Sequence, residues 1–251
     1  MDSGVGGLSV YREVVKLLPA ERYIYYADNA NCPYGEKTAG FIIDRCFEIV
    51  DLMVSKGAQV VVVACNTATA AAIAALRAHY DIPFIGMEPA VKPAAMNTRS
   101  GVIGVLATAG TLKASKYLMT RGRFEEDVQI IESVGQGFVE LVESGELEGE
   151  RAESVVRASL RPLIDAGADT IVLGCTHYPF LLPVLRKVAA QCGAPDVRFI
   201  DPAPAVARQL VHVMDSEGIA REAEGKASLE TLSSGPDAAI RRIMLLLQKN
   251  N

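Results

Sequence analysis

The chain has 251 residues, half of them hydrophobic, and a formal net charge of −5. That length suits one large α/β domain or two smaller ones sharing a cleft, and the lack of a basic cluster argues against a nucleic-acid partner. No apolar run reaches the ~20 residues of a membrane span, and "MDSGVGG" lacks a signal peptide's charged-then-apolar pattern, so a soluble cytoplasmic protein with no membrane role is expected.

Elements alternate along the chain. Leu8, Tyr11, Val15 and Leu18 repeat at helical spacing, and the first strand is predicted at "RYIYYAD" (22–28). "CPYGEK" (32–37) is a loop signal. A helix follows, with Phe41, Arg45, Glu48 and Leu52 on one face and Ile42, Cys46, Ile49 and Met53 on the other. Strands are then predicted at 59–65, 83–88, 102–108, 128–133, 170–175, 197–201 and 229–233, most of them apolar on both faces. Residues 152–166, 180–191, 203–216 and 236–248 read as helices. The alternation predicts parallel sheets flanked by helices. The Pro-rich "GMEPAVKPAAMNTRSG" (86–101) reads as a crossing between two lobes, and "FIDPAPAVAR" (199–208) as the crossing back.

Five cysteines, an odd number, stand at 32, 46, 65, 175 and 192. A disulfide framework is not expected in a long chain of this kind. Cys46, Cys192 and Cys32 read as structural thiols. Cys65 and Cys175 differ from them. Each ends an apolar strand, "VVVVACNTAT" (60–69) and "TIVLGCTHYP" (170–179), and each precedes polar side chains and a helix. Asn66 or Thr67 is expected to cap the first of these helices, with Thr176 in the capping region of the second. A helix N-terminus favours a thiolate and can hold a carboxylate. His177 can exchange a proton with Cys175.

Three chemistries compete for this pair. A Cys175 nucleophile with His177 as base leaves Cys65 idle. A metal held by Cys32, Cys65, Cys175 and His177 lacks the C-x-x-C spacing of structural zinc, so no metal is expected. Proton transfer by two bases uses both thiols, one on each face of a carbon. The glycine-rich "DSGVGGLSV" (2–10) is neither G-x-G-x-x-G nor a Walker A sequence. Its small residues allow close approach of Asp2 and Ser3 to a ligand.

Taken together, "DSGVGGLSV", "CPYGEK", "ACNTA", "LATAGTLKASKY" and "GCTHYP" resemble the glutamate racemase family, in the family's order and over most of the chain. The resemblance implies two pseudo-symmetric α/β lobes with the active site in the inter-lobe cleft. Residues 1–90 with 202–251 would form one lobe and 91–201 the other. It implies no cofactor, with Cys65 and Cys175 as proton carriers assisted by Asp2 and His177. Ser3, Tyr34, Gly35, Asn66, Thr67 and Thr176 would bind glutamate, with Asp2 and His177 also in contact. Thr108 and Thr111 would line the pocket. Glu143 matches a position near the site, although a solvated glutamate at a helix end explains it as well. A homodimer supplying D-glutamate for peptidoglycan is implied.

Two departures from the family stand out. The family places a short apolar strand before "DSG", where only Met1 precedes Asp2. Either the chain starts upstream or the sheet lacks that strand, which would loosen Asp2 and Ser3. "DPAP" (201–204) replaces a second "DSG", and Pro202 removes a backbone donor. "IGMEPAVKPA" (85–94) resembles members that take a cell-wall precursor as activator. Aspartate racemases, the nearest rival, typically carry Glu where this chain has His177. A non-catalytic two-lobed carboxylate-binding protein would need neither thiol.

Overall fold

The computed structural model describes residues 1–220 and 226–249. In chain order the elements are α1 (Leu8–Leu17), β1 (Arg22–Ala27), two 3-10 turns (Asn29–Asn31 and Tyr34–Glu36), α2 (Ala39–Ser55), β2 (Val61–Val63), α3 (Asn66–His79) and β3 (Phe84–Gly86). Then come α4 (Val91–Asn97), β4 (Val102–Ala107), α5 (Ala109–Lys113), α6 (Ser115–Gly122), β5 (Gln129–Val134), α7 (Phe138–Ser144) and α8 (Glu150–Asp165). β6 (Thr170–Gly174), a 3-10 turn (Tyr178–Leu181), α9 (Leu182–Gln191) and β7 (Arg198–Ile200) follow. α10 (Ala203–Ser216), β8 (Ser228–Ser233) and α11 (Ala238–Lys249) end the chain. All paired strands are parallel. This is the α/β class that the alternating pattern predicts. No helix among the described residues is long and apolar enough to cross a membrane.

The chain divides into two compact units, Met1–Met87 with Ala203–Asn251, and Glu88–Pro202. In the first unit β1 pairs with β8 and β2 with β3. Met1 and Asp2 lie between these pairs and bond to both. The Met1 amino group donates to the Val62 carbonyl at 2.8 Å, and Ala64 N–H donates to the Met1 carbonyl at 2.9 Å. On the other side Asp2 N–H donates to the Tyr26 carbonyl, and Asp28 N–H donates to the Asp2 carbonyl, each at 3.0 Å. Two residues therefore do a strand's work at its carboxyl end. Asp2 is fully buried and Ser3 nearly so, and the expected loosening does not occur. Beyond this bridge, a cavity of about 670 Å³ separates β1 from β2, lined in part by Ile24, Val60, Val62 and Met214.

Helices cover both sides of this unit. α2 buries Ile42, Cys46, Ile49, Val50 and Met53, close to the face read from its periodicity, against Ala68, Ala72 and Leu76 of α3. Phe41 and Leu52 on its other face are exposed. α1 turns Leu8, Val10 and Val14 inward rather than Tyr11 and Val15, and packs on Leu210 and Met214 of α10. Cys46 is sealed in the core, where desolvation pushes its thiol up to about 12. It behaves as the expected small hydrophobe.

The second unit holds a four-stranded sheet in the order β5-β4-β6-β7. β4 and β6 are its central strands and are almost wholly buried, which explains their continuous apolar sequence. The Pro-rich stretch expected to be a plain crossing contains α4. Pro93 sits in that helix's first turn, where a missing N–H costs nothing. Cys192 is the C-cap of α9 and is only half-buried, with Arg157 Nη1 donating to its sulfur at 3.4 Å.

Gly174 ends β6 one residue before Cys175. A Cβ there would lie 2.7 Å from the Ala107 Cβ and 3.2 Å from the Leu106 carbonyl oxygen of β4. The Leu106 contact is backbone and cannot rotate away. Gly174→Ala is expected to destabilise the fold by about 1–3 kcal/mol, read as a lower denaturant midpoint at unchanged m-value.

Candidate active site

Cys65 follows β2 and is itself the N-cap of α3. Its Sγ accepts from the Ala68 N–H at 3.4 Å. Asn66 and Thr67, the expected caps, are the first two residues of the helix instead. A sulfur in the cap position sits on the positive end of a 14-residue helix, where backbone N–H and dipole both reward negative charge. The Ser3 hydroxyl lies 3.7 Å from the same sulfur. Asp2 is held just upstream, with Oδ1 accepting from the Gly4 N–H at 2.9 Å. The chain passes so close here that a Cβ at Gly7 would stand 2.8 Å from the Asp2 Cβ and 3.1 Å from the Ala64 Cβ. That close approach is why small residues follow Asp2.

Because the thiol takes the cap, the Asn66 amide is released from it. Asn66 is buried, yet neither its Oδ1 nor its Nδ2 has a hydrogen-bond partner among the described residues. A buried amide with both ends unmet is uncommon in a folded protein and points to a ligand that completes it. Thr67 is buried alongside. Tyr34 shares an apolar cluster with Cys65, and Gly35 follows it in the second 3-10 turn.

Cys175 stands just past the carboxyl end of β6, the edge where open α/β sheets bind ligands. Its surroundings depart from expectation. Thr176 caps no helix, because a 3-10 turn intervenes and α9 starts only at Leu182. The helix-terminus argument therefore applies to Cys65 and not to Cys175. In its place stands an imidazole. His177 is buried, with Nδ1 3.7 Å from Cys175 Sγ and Nε2 2.7 Å from Glu143 Oε1. Glu143 lies in the last turn of α7, whose C-cap Gly145 has φ 78°. Its side chain is only 21% exposed, so the solvated-helix-end reading is corrected. Carboxylate, imidazole and thiol form one row in which Glu143 fixes the ring's orientation. Tyr178 packs edge-on against Phe138 at a 4.9 Å centroid distance, joining the turn after Cys175 to α7.

Thr108 follows β4, the strand beside β6, and caps α5 by accepting from the Thr111 N–H at 3.2 Å. The two hydroxyls are 3.0 Å apart, and Thr111 is buried. Asp2, Ser3, Tyr34, Gly35, Asn66 and Thr67 thus belong to the Cys65 unit, while Thr108, Thr111, Thr176 and His177 belong to the Cys175 unit.

Residues 2–210 match the model of the Asp/Glu/Hydantoin racemase family. The chain belongs to this family. It is 46% identical over 246 residues to the glutamate racemase of Pseudomonas paraeruginosa, covering 98% of this chain and 91% of that one. Among solved structures, the Bacillus anthracis glutamate racemase isoform RacE1 superposes with a TM-score of 0.86 at 30% identity. That match covers 99% of this chain and 92% of the other. The Escherichia coli glutamate racemase, in complex with L-glutamate and the activator UDP-MurNAc-ala, gives 0.84 at 36% identity, with the same coverage. A racemase needs groups that move a proton at carbon rather than a nucleophile alone.

Proposed function

We propose that this racemase interconverts L- and D-glutamate by proton transfer between two thiols, without a cofactor. The observation that carries the reading is the pair of matched centres. Cys65 has Ser3 and a helix N-terminus, and Cys175 has His177 and Glu143. In one direction a thiolate removes the Cα proton and becomes a thiol. The carbanion's electron pair then takes a proton from the other thiol on the opposite face, leaving that sulfur as the thiolate. The reverse direction exchanges the two roles.

The Cα–H of glutamate is a very weak acid, so charge building on the α-carboxylate must be met by placed donors in a dry site. Asn66 has its Nδ2 to donate to that carboxylate and its Oδ1 to accept from the substrate ammonium, and the amides of the α3 N-terminus and the Thr67 hydroxyl flank it. Asp2 supports the Cys65 side, and Thr108, Thr111 and Thr176 the Cys175 side. The Tyr34–Gly35 turn completes the substrate contacts. Reacting atoms must approach to ~3–3.5 Å for this transfer.

The product would feed peptidoglycan synthesis in the cytoplasm, and the enzyme would act as a homodimer. The Escherichia coli relative binds UDP-MurNAc-ala as activator, and we extend activation by a cell-wall precursor to this chain. The test is polarimetry of L-glutamate and L-aspartate incubated separately with the protein. Loss of rotation with glutamate alone is expected. Turnover of aspartate alone would overturn the substrate, and turnover of neither would overturn the activity.

A further inference from the structure

Asp28 stands immediately after β1, fully buried, with no part in the proton transfer described above. Its carboxylate collects donors from three directions. Arg45 of α2 donates Nη2 to Oδ1 at 2.8 Å and Nε to Oδ2 at 3.0 Å. The Tyr34 hydroxyl donates to Oδ2 at 2.5 Å, and Asn31 Nδ2 donates to both oxygens at 3.0 and 3.1 Å. Burial opposes ionisation of this group. Arg45, Tyr34, Ser234 and Asn31 nevertheless hold its pKa below the usual carboxylate value, so the pair is charged at neutral pH.

The arrangement faces the candidate site from behind. Tyr34 is 1% exposed and packs in the same cluster as Cys65 and Ala68. Its hydroxyl has an acceptor in Asp28, so the ring is fixed at its far end as well as along its sides. The Asp28 N–H also donates to the carbonyl of Asp2 at 3.0 Å. One side chain and one amide thus tie the Tyr34–Glu36 turn, α2 and the Asp2 backbone to the end of a single strand. A packed apolar residue would give β1 cohesion without burying a charge. What the ion pair adds is direction, because a two-pronged guanidinium fixes the carboxylate and the carboxylate fixes the phenol.

We propose that Asp28, clamped by Arg45, is a positioning residue that holds the Tyr34–Glu36 turn beside Cys65 and so sets substrate affinity without touching substrate. The assignment rests on the reading that this turn binds glutamate. Asp28→Asn keeps the shape and removes the charge. It is expected to raise KM for glutamate about tenfold, the worth of one charge-assisted hydrogen bond, while kcat stays within about threefold. Tyr34→Phe should raise KM by a similar factor. The double variant should be no worse than Asp28→Asn, since both act through one hydroxyl. Arg45→Lys, which keeps the charge and loses the fork, should shift KM the same way by less.

Amide hydrogen exchange gives a readout independent of activity. Residues 32–37 should exchange faster in Asp28→Asn and in Arg45→Lys, with β4 and β6 unchanged. KM effects of Asp28→Asn and Tyr34→Phe that multiply, or wild-type exchange at 32–37 in both variants, would overturn the proposal. Should the wild-type protein fail to turn over glutamate, the functional reading falls, and exchange alone still decides whether Asp28 holds the turn.

Discussion

Cys65→Ala and Cys175→Ala are each expected to lower kcat for glutamate racemisation by about 10³-fold or more, since in the proposed mechanism each removes a group that carries the proton itself. The two should fail differently. With Cys65 gone, the Cys175 thiolate retains its imidazole partner and can still remove and return a proton on its own face. That variant should wash deuterium from solvent into one enantiomer without inverting it. Cys175→Ala should do the same for the other enantiomer. Both thiols are small and nearly buried, so each truncation should cost only modest stability and the variants should stay folded. A variant that still racemises at wild-type rate would remove its cysteine from the mechanism. Loss of exchange for both enantiomers in both variants would mean the thiols do not work independently.

The second large effect concerns the row behind Cys175. Glu143 Oε1 stands 2.7 Å from His177 Nε2 and leaves Nδ1 facing the sulfur. A carboxylate favours the tautomer with its proton on Nε2 and supports the ring when it becomes cationic. Glu143→Gln puts an amide in the same space and removes both preferences. We expect kcat to fall by about 10²–10⁴-fold, with KM changing little, since the loss is felt when the proton moves. Glu143→Asp keeps the charge on a shorter arm and should recover part of the rate. Rescue by Glu143→Asp distinguishes this role from simple support, because only a carboxylate restores the negative charge beside the ring. An unchanged kcat in Glu143→Gln would remove Glu143 from the mechanism.

Much of the fold was legible because its signals are local. α10 runs from Ala203 to Ser216 as the periodicity predicts, starting straight after Pro202. β4 and β6 announced themselves as apolar runs because both faces are covered. α4 was hidden by its prolines, whose meaning depends on whether they fall in a first turn. The Cys65 thiol was read correctly as a residue at a helix start. That the sulfur would take the cap and leave Asn66 unmet needed backbone geometry, since Asn ordinarily outranks Cys as a cap. Glu143 and Asp28 were hardest to value. Their meaning lies in His177, 34 residues on from Glu143, and in Arg45, 17 on from Asp28, and sequence spacing records neither contact. An acidic residue directly after the apolar, Tyr-rich run of β1 was the available clue for Asp28.

The most direct check on paired thiols is the early label pattern in D₂O, starting from each glutamate enantiomer in turn. If one sulfur removes the proton and a second, solvent-equilibrated sulfur delivers another, the first product formed carries deuterium at Cα while unreacted substrate remains protiated. Product that retains the original hydrogen, in either direction, would mean that one group carries the proton across both faces, and would contradict the account.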